Sequence, residues 1–122
     1  MGTTYRKFTY MATSRIPKKI TRVVQNYTDR IQRDTKTPIQ RVILYGSWAK
    51  GNPRKWSDVD VCIISPKFQH PLEAITFLLL QRNREEVLAG IEPVGFTSKD
   101  FEEGSSLINE IKRTGIDLPT RG

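Results

Sequence analysis

The chain has 122 residues, of which 37% are hydrophobic, and a formal net charge of +7 at pH 7. This composition supplies enough apolar side chains for one folded core and excludes an intrinsically disordered chain. A single cysteine, Cys62, excludes an internal disulfide and a cysteine-rich zinc module, and it is typical of a buried strand position. No apolar run approaches the ~20 residues of a membrane span. We therefore expect a cytoplasmic protein with one domain over residues 1–122, of which residues 1–14 form an extension.

The positive charge is concentrated at the start of the chain. Residues 1–35 carry eight Lys or Arg and two acidic residues, whereas residues 63–122 carry more acidic than basic ones. Such a segment is typical of a surface that meets an anionic partner. It is equally typical of the solvated face of a helix, and composition does not choose between these interpretations.

Hydrophobic spacing predicts three helices and three strands. The helices are expected over residues 15–34, 72–88 and 105–113, and the strands over residues 41–45, 58–64 and 91–96. Pro93 places the third strand at a sheet edge or in a bulge, because proline cannot donate to an internal ladder. The order of these elements indicates an α/β or α+β fold in which helices back a small sheet.

The same spacing predicts which side chains are buried. In the last two helices these are Leu72, Ile75, Leu79, Val87, Leu107, Ile108 and Ile111. Thr97 is expected to cap a short turn, because Asp100 follows three residues later in a pattern similar to a capping box.

Two aspartates, Asp58 and Asp60, lie two positions apart in the second predicted strand. Alternate side chains of a strand share a face, so both carboxylates are expected on one side of the sheet. Like charges this close repel each other, and a bound divalent cation removes that repulsion. Carboxylate oxygens are typical ligands of Mg²⁺, which takes its other ligands from water and substrate phosphates. The alternative is a turn residue followed by a solvent-facing aspartate, and the pair alone does not decide.

A Gly46-Ser47 turn precedes this pair, with ten residues between them. Glycine lets a phosphate approach the backbone, and the serine hydroxyl adds a donor, although a plain turn also explains the dipeptide. The complete pattern of Gly-Ser, ten residues and Asp-x-Asp is much more specific. In a chain of this composition it arises by chance in on the order of one in a thousand sequences.

The run from Val42 to Gly51, followed by Ser57 to Val61, resembles the signature of minimal nucleotidyltransferases of the DNA polymerase β superfamily. Its spacing is similar to that of the MNT antitoxins that pair with HEPN toxins. The resemblance covers residues 20–115 and implies the fold of that superfamily, a small mixed sheet backed by helices.

The resemblance implies a site for two Mg²⁺ ions held by three carboxylates. Asp58 and Asp60 would bridge the metals, and Glu92, the best match on a later strand, would also orient or deprotonate the acceptor. Asp100 competes for this third position, but Thr97 is expected to end the strand before it. ATP would be the nucleotide substrate.

The resemblance also implies a cradle for the triphosphate at Gly46 and Ser47, with Lys50 and Ser57 as further contacts. Many members of the family carry a basic residue directly after Gly-Ser, whereas this chain has Trp48 there. A phosphate contact could instead come from the basic residues of the following loop, which are Lys50, Arg54 and Lys55.

The implied reaction is the transfer of AMP from ATP to a hydroxyl group. A chain this short leaves no room for an appended acceptor domain, which favours a protein acceptor in a hetero-oligomer. In the family that acceptor is a tyrosine of a HEPN toxin, and this chain would be the antitoxin. Three alternatives stay open: a small-molecule or RNA acceptor on a separate subunit, an antitoxin that acts by binding alone, and direct nucleic-acid binding by the basic segment. The last is less favoured because aromatic residues are not interleaved with the cations.

Overall fold

The computed structural model describes residues 16–54 and 56–120. Their strands form one mixed sheet with the order β3-β2-β1-β4. The strands are β1 (Arg41–Tyr45), β2 (Val59–Ile64), β3 (Ile91–Phe96) and β4 (Ile116–Leu118). Strand β1 is antiparallel to both β2 and β4, whereas β2 and β3 are parallel. The α/β class and the mixed sheet are therefore confirmed, and β3 with its proline is an edge strand as predicted.

Helices cover both faces of this sheet. They are α1 (Lys18–Thr35), α2 (Ser47–Lys50), α3 (Pro71–Leu80), α4 (Arg84–Ala89), α5 (Ser98–Glu103) and α6 (Ser106–Thr114). Helices α1 and α3 pack on the face that includes Leu44 and Val61, while α5 and α6 pack on the face that includes Ile43 and Cys62. None of the helices in these described ranges is long and apolar enough to cross a bilayer.

Arg30 of α1 and Glu86 of α4 tie two of these helices together. The Arg30 guanidinium donates to both carboxylate oxygens of Glu86 and also to the carbonyl of Gln81. Glu86 is buried, with 1% of its surface exposed, and it also accepts from the backbone N–H of Asn83. The Asn83 side chain accepts in turn from the Glu86 N–H, which completes a capping box at the start of α4.

This capping box explains why the predicted helix over residues 72–88 is two helices. Asn83 has an extended backbone and caps the start of α4. Helix α3 therefore ends at Leu80, and a new helix begins at Arg84. Gly90 ends α4 in the left-handed conformation, as expected of a glycine at that position. Thr97 caps α5, its hydroxyl accepting from the Asp100 N–H, as predicted.

The predicted buried face of α3 is wrong. The helix is apolar around most of its circumference, so spacing could not select the face, and the structure buries Ala74 and Leu78. Gly95 of β3 decides the packing: a Cβ on it would lie 3.1 Å from Ala74 Cβ and from Leu78 Cδ1. Ile75 is half-buried, Ile108 and Ile111 are buried as predicted, and the side chains exposed against expectation are Leu72, Leu79, Val87 and Leu107.

Several boundaries also differ from the predictions. Helix α1 begins at Lys18, and the predicted start at residue 15 lies outside the described residues, as does the proposed extension. Strand β2 begins at Val59 rather than at Asp58, and α6 begins after Ser105, which serves as its cap. The short elements α2 and β4 carry too few residues for a periodic pattern and were not predicted.

Candidate active site

Three side chains form a row across one end of the sheet. Asp60 of β2 lies opposite Tyr45 in the antiparallel pairing with β1 and opposite Glu92 in the parallel pairing with β3. The row lies on the same face as Cys62, two residues further along β2. Asp60 and Tyr45 are half-buried, whereas Glu92 is exposed at the edge strand. The pairing thus brings together two of the predicted ligands that are 32 positions apart in the sequence.

Gly46 follows the last residue of β1 and lies beside this row of side chains. Its backbone, at φ 77° and ψ −153°, occupies a region that is essentially restricted to glycine. A Cβ on Gly46 would overlap the Asp60 carboxylate, and it would lie 3.1 Å from Asp60 Cγ. The two parts of the Gly-Ser and Asp-x-Asp pattern are therefore in contact, and only a residue without a side chain permits it.

Ser47 begins the single turn of α2 immediately after Gly46. The first N–H groups of a helix have no intrahelical partner, so they can donate to a group that lies beyond the end of the helix. The Lys50 N–H closes the turn on the Gly46 carbonyl at 3.0 Å. The predicted strand and tight turn are therefore present next to Asp60.

Asp58 precedes β2 and is exposed. A Cβ on Gly90 would lie 3.4 Å from Asp58 Oδ1, so Asp58 lies beside the junction of α4 and β3. Because β2 begins only at Val59, strand alternation was not a correct reason to pair Asp58 with Asp60. The two carboxylates are nevertheless electrostatically coupled, as the pKa of Asp60 shows.

The pKa of Asp60 is raised to about 6. Burial is the largest cause, followed by the negative charges of Glu92 and then Asp58. Burial also raises the pKa of Tyr45, with Asp60 as the next cause. The charges of Glu92 and Asp58 therefore act on Asp60, and a bound cation would relieve this repulsion.

The donor chemistry of these carboxylates fits a hard cation such as Mg²⁺, because all three offer oxygen ligands. Within residues 16–54 and 56–120, however, no three His, Cys, Asp or Glu side chains are grouped closely enough to hold a metal ion. The fit therefore rests on ligand type, on the strand register of Asp60 and Glu92, and on their electrostatic coupling. Asp100, the competing acid, lies on α5 beyond the end of β3.

The other predicted nucleotide contacts have partners within the chain. The Ser57 hydroxyl accepts from the Arg54 N–H at 2.7 Å and so shapes the turn that precedes Asp58. Lys50 Nζ lies 3.4 Å from Glu110 Oε1 of α6. Arg54 is exposed, and Lys55 lies outside the described residues.

Trp48, which follows the Gly-Ser pair, turns toward the core. Its ring packs against the apolar cluster beneath α1, and its indole N–H is buried with no hydrogen-bond partner among the described residues. Trp48 therefore anchors α2 by packing on the core, and its uncharged indole offers no positive charge to a phosphate.

Tyr45 and Gly90 were not identified as site residues from the sequence. Tyr45 directly precedes the Gly-Ser pair, so an antiparallel hairpin register would have placed it opposite the second aspartate. Gly90 was recognised only as a helix end, because its proximity to Asp58 depends on how α4 meets β2.

Residues 24–117 match the family model of the nucleotidyltransferase domain. The chain belongs to this family. The nucleotidyltransferase domain thus spans all four strands except the last residue of β4. A search of curated protein sequences found no match.

Three solved structures share the fold. A Sulfolobus solfataricus protein assigned as a nucleotidyltransferase has a TM-score of 0.61 at 10% identity, over 84% of this chain and 82% of that one. A toxin–antitoxin with AMP-PNP has a TM-score of 0.56 at 17% identity, over 80% and 73% of the respective chains. A mutant of the toxin–antitoxin MntA-HpeT has a TM-score of 0.54 at 15% identity, with the same coverage. At these identities the likeness demonstrates a common fold.

Proposed function

We propose that this nucleotidyltransferase domain transfers AMP from ATP to a hydroxyl group of a partner protein. The observation that carries the proposal is the contact of Gly46 with Asp60, opposite Glu92, at one end of the sheet. This arrangement offers backbone donors for phosphates beside carboxylates that can hold cations. AMP-PNP, present in one of the similar structures, is an ATP analogue, which favours an adenine nucleotide.

Asp58, Asp60 and Glu92 would hold two Mg²⁺ ions after moving closer together than they lie among the described residues. Bound Mg²⁺ lowers the pKa of an attacking hydroxyl and neutralises the charge of the leaving pyrophosphate. Within this protein, Gly46 and Ser47 would orient the triphosphate through the first turn of α2. Lys50 and Ser57 would add contacts once Lys50 leaves Glu110.

Glu92 is suited to receive the proton of the acceptor. It is exposed on the edge strand and therefore accessible to a hydroxyl group that arrives from solvent. The acceptor oxygen forms a bond to the α-phosphorus, the bond from that phosphorus to the β-bridging oxygen breaks, and pyrophosphate leaves. The acceptor proton passes to Glu92, so charge and atoms balance.

A tyrosine of a HEPN-type toxin is the proposed acceptor, and this chain would be the antitoxin of the pair. Two of the similar structures are toxin–antitoxin complexes, and the MntA-HpeT mutant carries two Asp-to-Glu substitutions. Those aspartates are two positions apart, which is the spacing of Asp58 and Asp60. The site would lie in the cytoplasm, where ATP is available.

The test is to incubate the purified chain with ATP, Mg²⁺ and a HEPN-type toxin encoded beside it, and to measure intact masses. We expect the toxin to gain the mass of one or more AMP groups and to lose ribonuclease activity. No gain in mass for the wild-type pair would refute adenylylation.

Asp58→Asn and Asp60→Asn should abolish the gain in mass while the chain remains folded by circular dichroism. Asp34→Asn is the matched control, because Asp34 lies on the exposed end of α1 and pairs with Arg33. Toxin neutralised equally well by Asp60→Asn would instead indicate an antitoxin that acts by binding alone.

A further inference from the structure

A groove of about 480 Å³ lies between α1 and α4. Its apolar residues come from both helices, and they are Ile20, Val23, Leu88 and Ala89. Ile20 and Val23 are buried, but Leu88 keeps 75% of its surface exposed. An exposed leucine beside an open apolar floor is surface that a partner could remove from water.

Basic residues surround this groove. Lys19 and Arg84 line it, and Lys18 and Arg22 lie next to Lys19 on the exposed side of α1. None of these four cations forms an ion pair within residues 16–54 and 56–120. Glu85 also lines the groove, so the rim is predominantly but not entirely basic.

Two of these cations, Lys18 and Lys19, do not stabilise the start of the helix that carries them. The first turn of α1 contains Lys18 and Lys19 and no acidic residue. The helix dipole disfavours positive charge at this end. Negative charge from outside the chain would relieve this arrangement, which indicates a partner that brings carboxylates.

The groove reaches the same end of the sheet as the candidate active site, but α1 packs on the face opposite to the row of Tyr45, Asp60 and Glu92. Ala89 lines it, the next residue is Gly90, and Gly90 lies beside Asp58. Glu92 follows two residues later on β3. A segment held in the groove would therefore lie at the same end of the sheet as the carboxylates, on the other face, and would leave them uncovered.

We propose that this groove binds a segment of a partner protein that presents apolar side chains flanked by Asp or Glu. The apolar side chains pack on Leu88 and the buried floor, and the carboxylates pair with Lys19 and Arg84. The role of this contact in presenting an acceptor hydroxyl to Glu92 rests on the proposed function, whereas the binding itself does not.

The probe is a fluorescent helical peptide with leucines at helical spacing and glutamates on both sides of them. A second peptide keeps the leucines and replaces every glutamate by lysine. We expect the acidic peptide to bind at least about tenfold more tightly at low salt, and the difference to shrink at high salt. Equal affinity for both peptides would overturn the proposal.

Variants locate the bound peptide. Lys19→Glu combined with Arg84→Glu should weaken binding by about tenfold or more, whereas Arg33→Glu, at the other end of α1, should not. Leu88→Ser should also weaken binding, and the matched control is Leu80→Ser, because Leu80 is 77% exposed and does not line the groove. Equal effects of the two leucine variants, or self-association of the chain that Leu88→Ser alone removes, would overturn it.

Adenylylation of the toxin separates the two proposals. Tight acidic-peptide binding without any AMP transfer would refute the proposed function and leave the docking groove intact. AMP transfer that Lys19→Glu with Arg84→Glu leaves unchanged, together with no peptide preference, would refute the groove and leave the proposed function intact.

Discussion

The backbone of Gly46 lies directly against the carboxylate of Asp60. The contact arises because β1 and β2 are antiparallel and pair Tyr45 with Asp60, so the chain leaves β1 at the point where β2 carries its aspartate. A spacing that looks arbitrary in the sequence is thus the length of a connection between two neighbouring strand ends. The same contact makes Gly46 the position at which the proposed site is most easily tested.

Gly46→Ala should reduce AMP transfer by roughly 100-fold or more, because displacing a catalytic group by about 1 Å can cost that much. The new Cβ would overlap the Asp60 carboxylate, and alanine is also strained at this φ and ψ. The strain should lower the free energy of unfolding by about 1–3 kcal/mol. Both quantities can be measured on the same purified variant, by transfer assay and by urea denaturation.

Gly51→Ala is the matched control. Gly51 has a similar φ of 79°, but a Cβ there would have nothing within 4 Å. We expect a loss of stability of about 1 kcal/mol and nearly normal transfer. Equal losses of transfer at the two glycines would contradict a specific contact between Gly46 and Asp60.

Asp60→Asn should stabilise the metal-free protein above about pH 6 and have little effect near pH 4. The pKa of Asp60 is raised to about 6 in the folded state, so the fold favours the protonated carboxyl group. The resulting stabilisation is complete only below the pKa that Asp60 has in the unfolded chain. That contribution is lost as the pH rises through 6, where the buried carboxylate ionises beside Glu92. Asparagine removes the charge and therefore the loss.

Thermal unfolding with a chelator present, from pH 4 to pH 8, measures this effect. The midpoint of Asp60→Asn should exceed that of the wild type by an amount that grows from pH 4 to somewhat above pH 6 and then stays constant to pH 8, whereas Asp34→Asn should follow the wild type throughout. Added Mg²⁺ should raise the midpoint of the wild type more than that of Asp60→Asn. A midpoint difference independent of pH would show that the Asp60 charge is not the cause.

Glu92→Gln and Asp100→Asn distinguish the two acids that compete for the third carboxylate position. Glu92 is the register partner of Asp60, whereas Asp100 lies on α5 beyond the strand. Removing a group that accepts the acceptor proton should lower the transfer rate by roughly 100-fold to 10,000-fold. We expect this loss for Glu92→Gln only, measured by AMP incorporation under saturating ATP. The reverse order of effects would assign the role to Asp100.

Glu86→Ala should destabilise the fold by about 3 kcal/mol or more. It leaves Arg30 without its buried partner and removes one half of the capping box of α4. Glu85→Ala, at the exposed neighbouring position, should change stability by less than about 0.5 kcal/mol. Urea denaturation of the three proteins measures both differences, and similar midpoints for the two variants would contradict a structural role for Glu86.

Residue patterns determined much of the scaffold of this protein. Strand positions at residues 41–45 and 91–96 followed from apolar and β-branched runs. Pro93 limited β3 to an edge or a bulge, and the structure places it at the edge. Helix α1 has one strongly apolar face, so its spacing was sufficient. The turn at Gly46 and Ser47 was also evident, because the apolar run of β1 stops at a Gly-Ser pair; Gly46 has the positive φ that glycine favours.

Tertiary structure decided two features that the local residue pattern left open: which face of α3 is buried, and where that helix ends. Helix α3 is apolar on nearly all sides, and the absence of a side chain on Gly95 selected the face that packs. The end of α3 at Leu80 depends on Glu86, which accepts hydrogen bonds from the Asn83 N–H and the Arg30 guanidinium. These two partners allow the Glu86 carboxylate to be buried. Such long-range partners cannot be deduced from spacing within one helix.

By itself, the sequence determined which residues could carry the chemistry: a Gly-Ser turn, an Asp-x-Asp pair and one acid on a later strand. Only the tertiary structure decided their relationship, because strand register is set by hydrogen bonding and packing across the whole sheet. That register places Tyr45, Asp60 and Glu92 in one row and Gly46 against Asp60, while Asp58 stays outside β2 beside Gly90. Packing of α1 on α4 likewise created the basic groove, since its lining residues are about 60 positions apart in the chain.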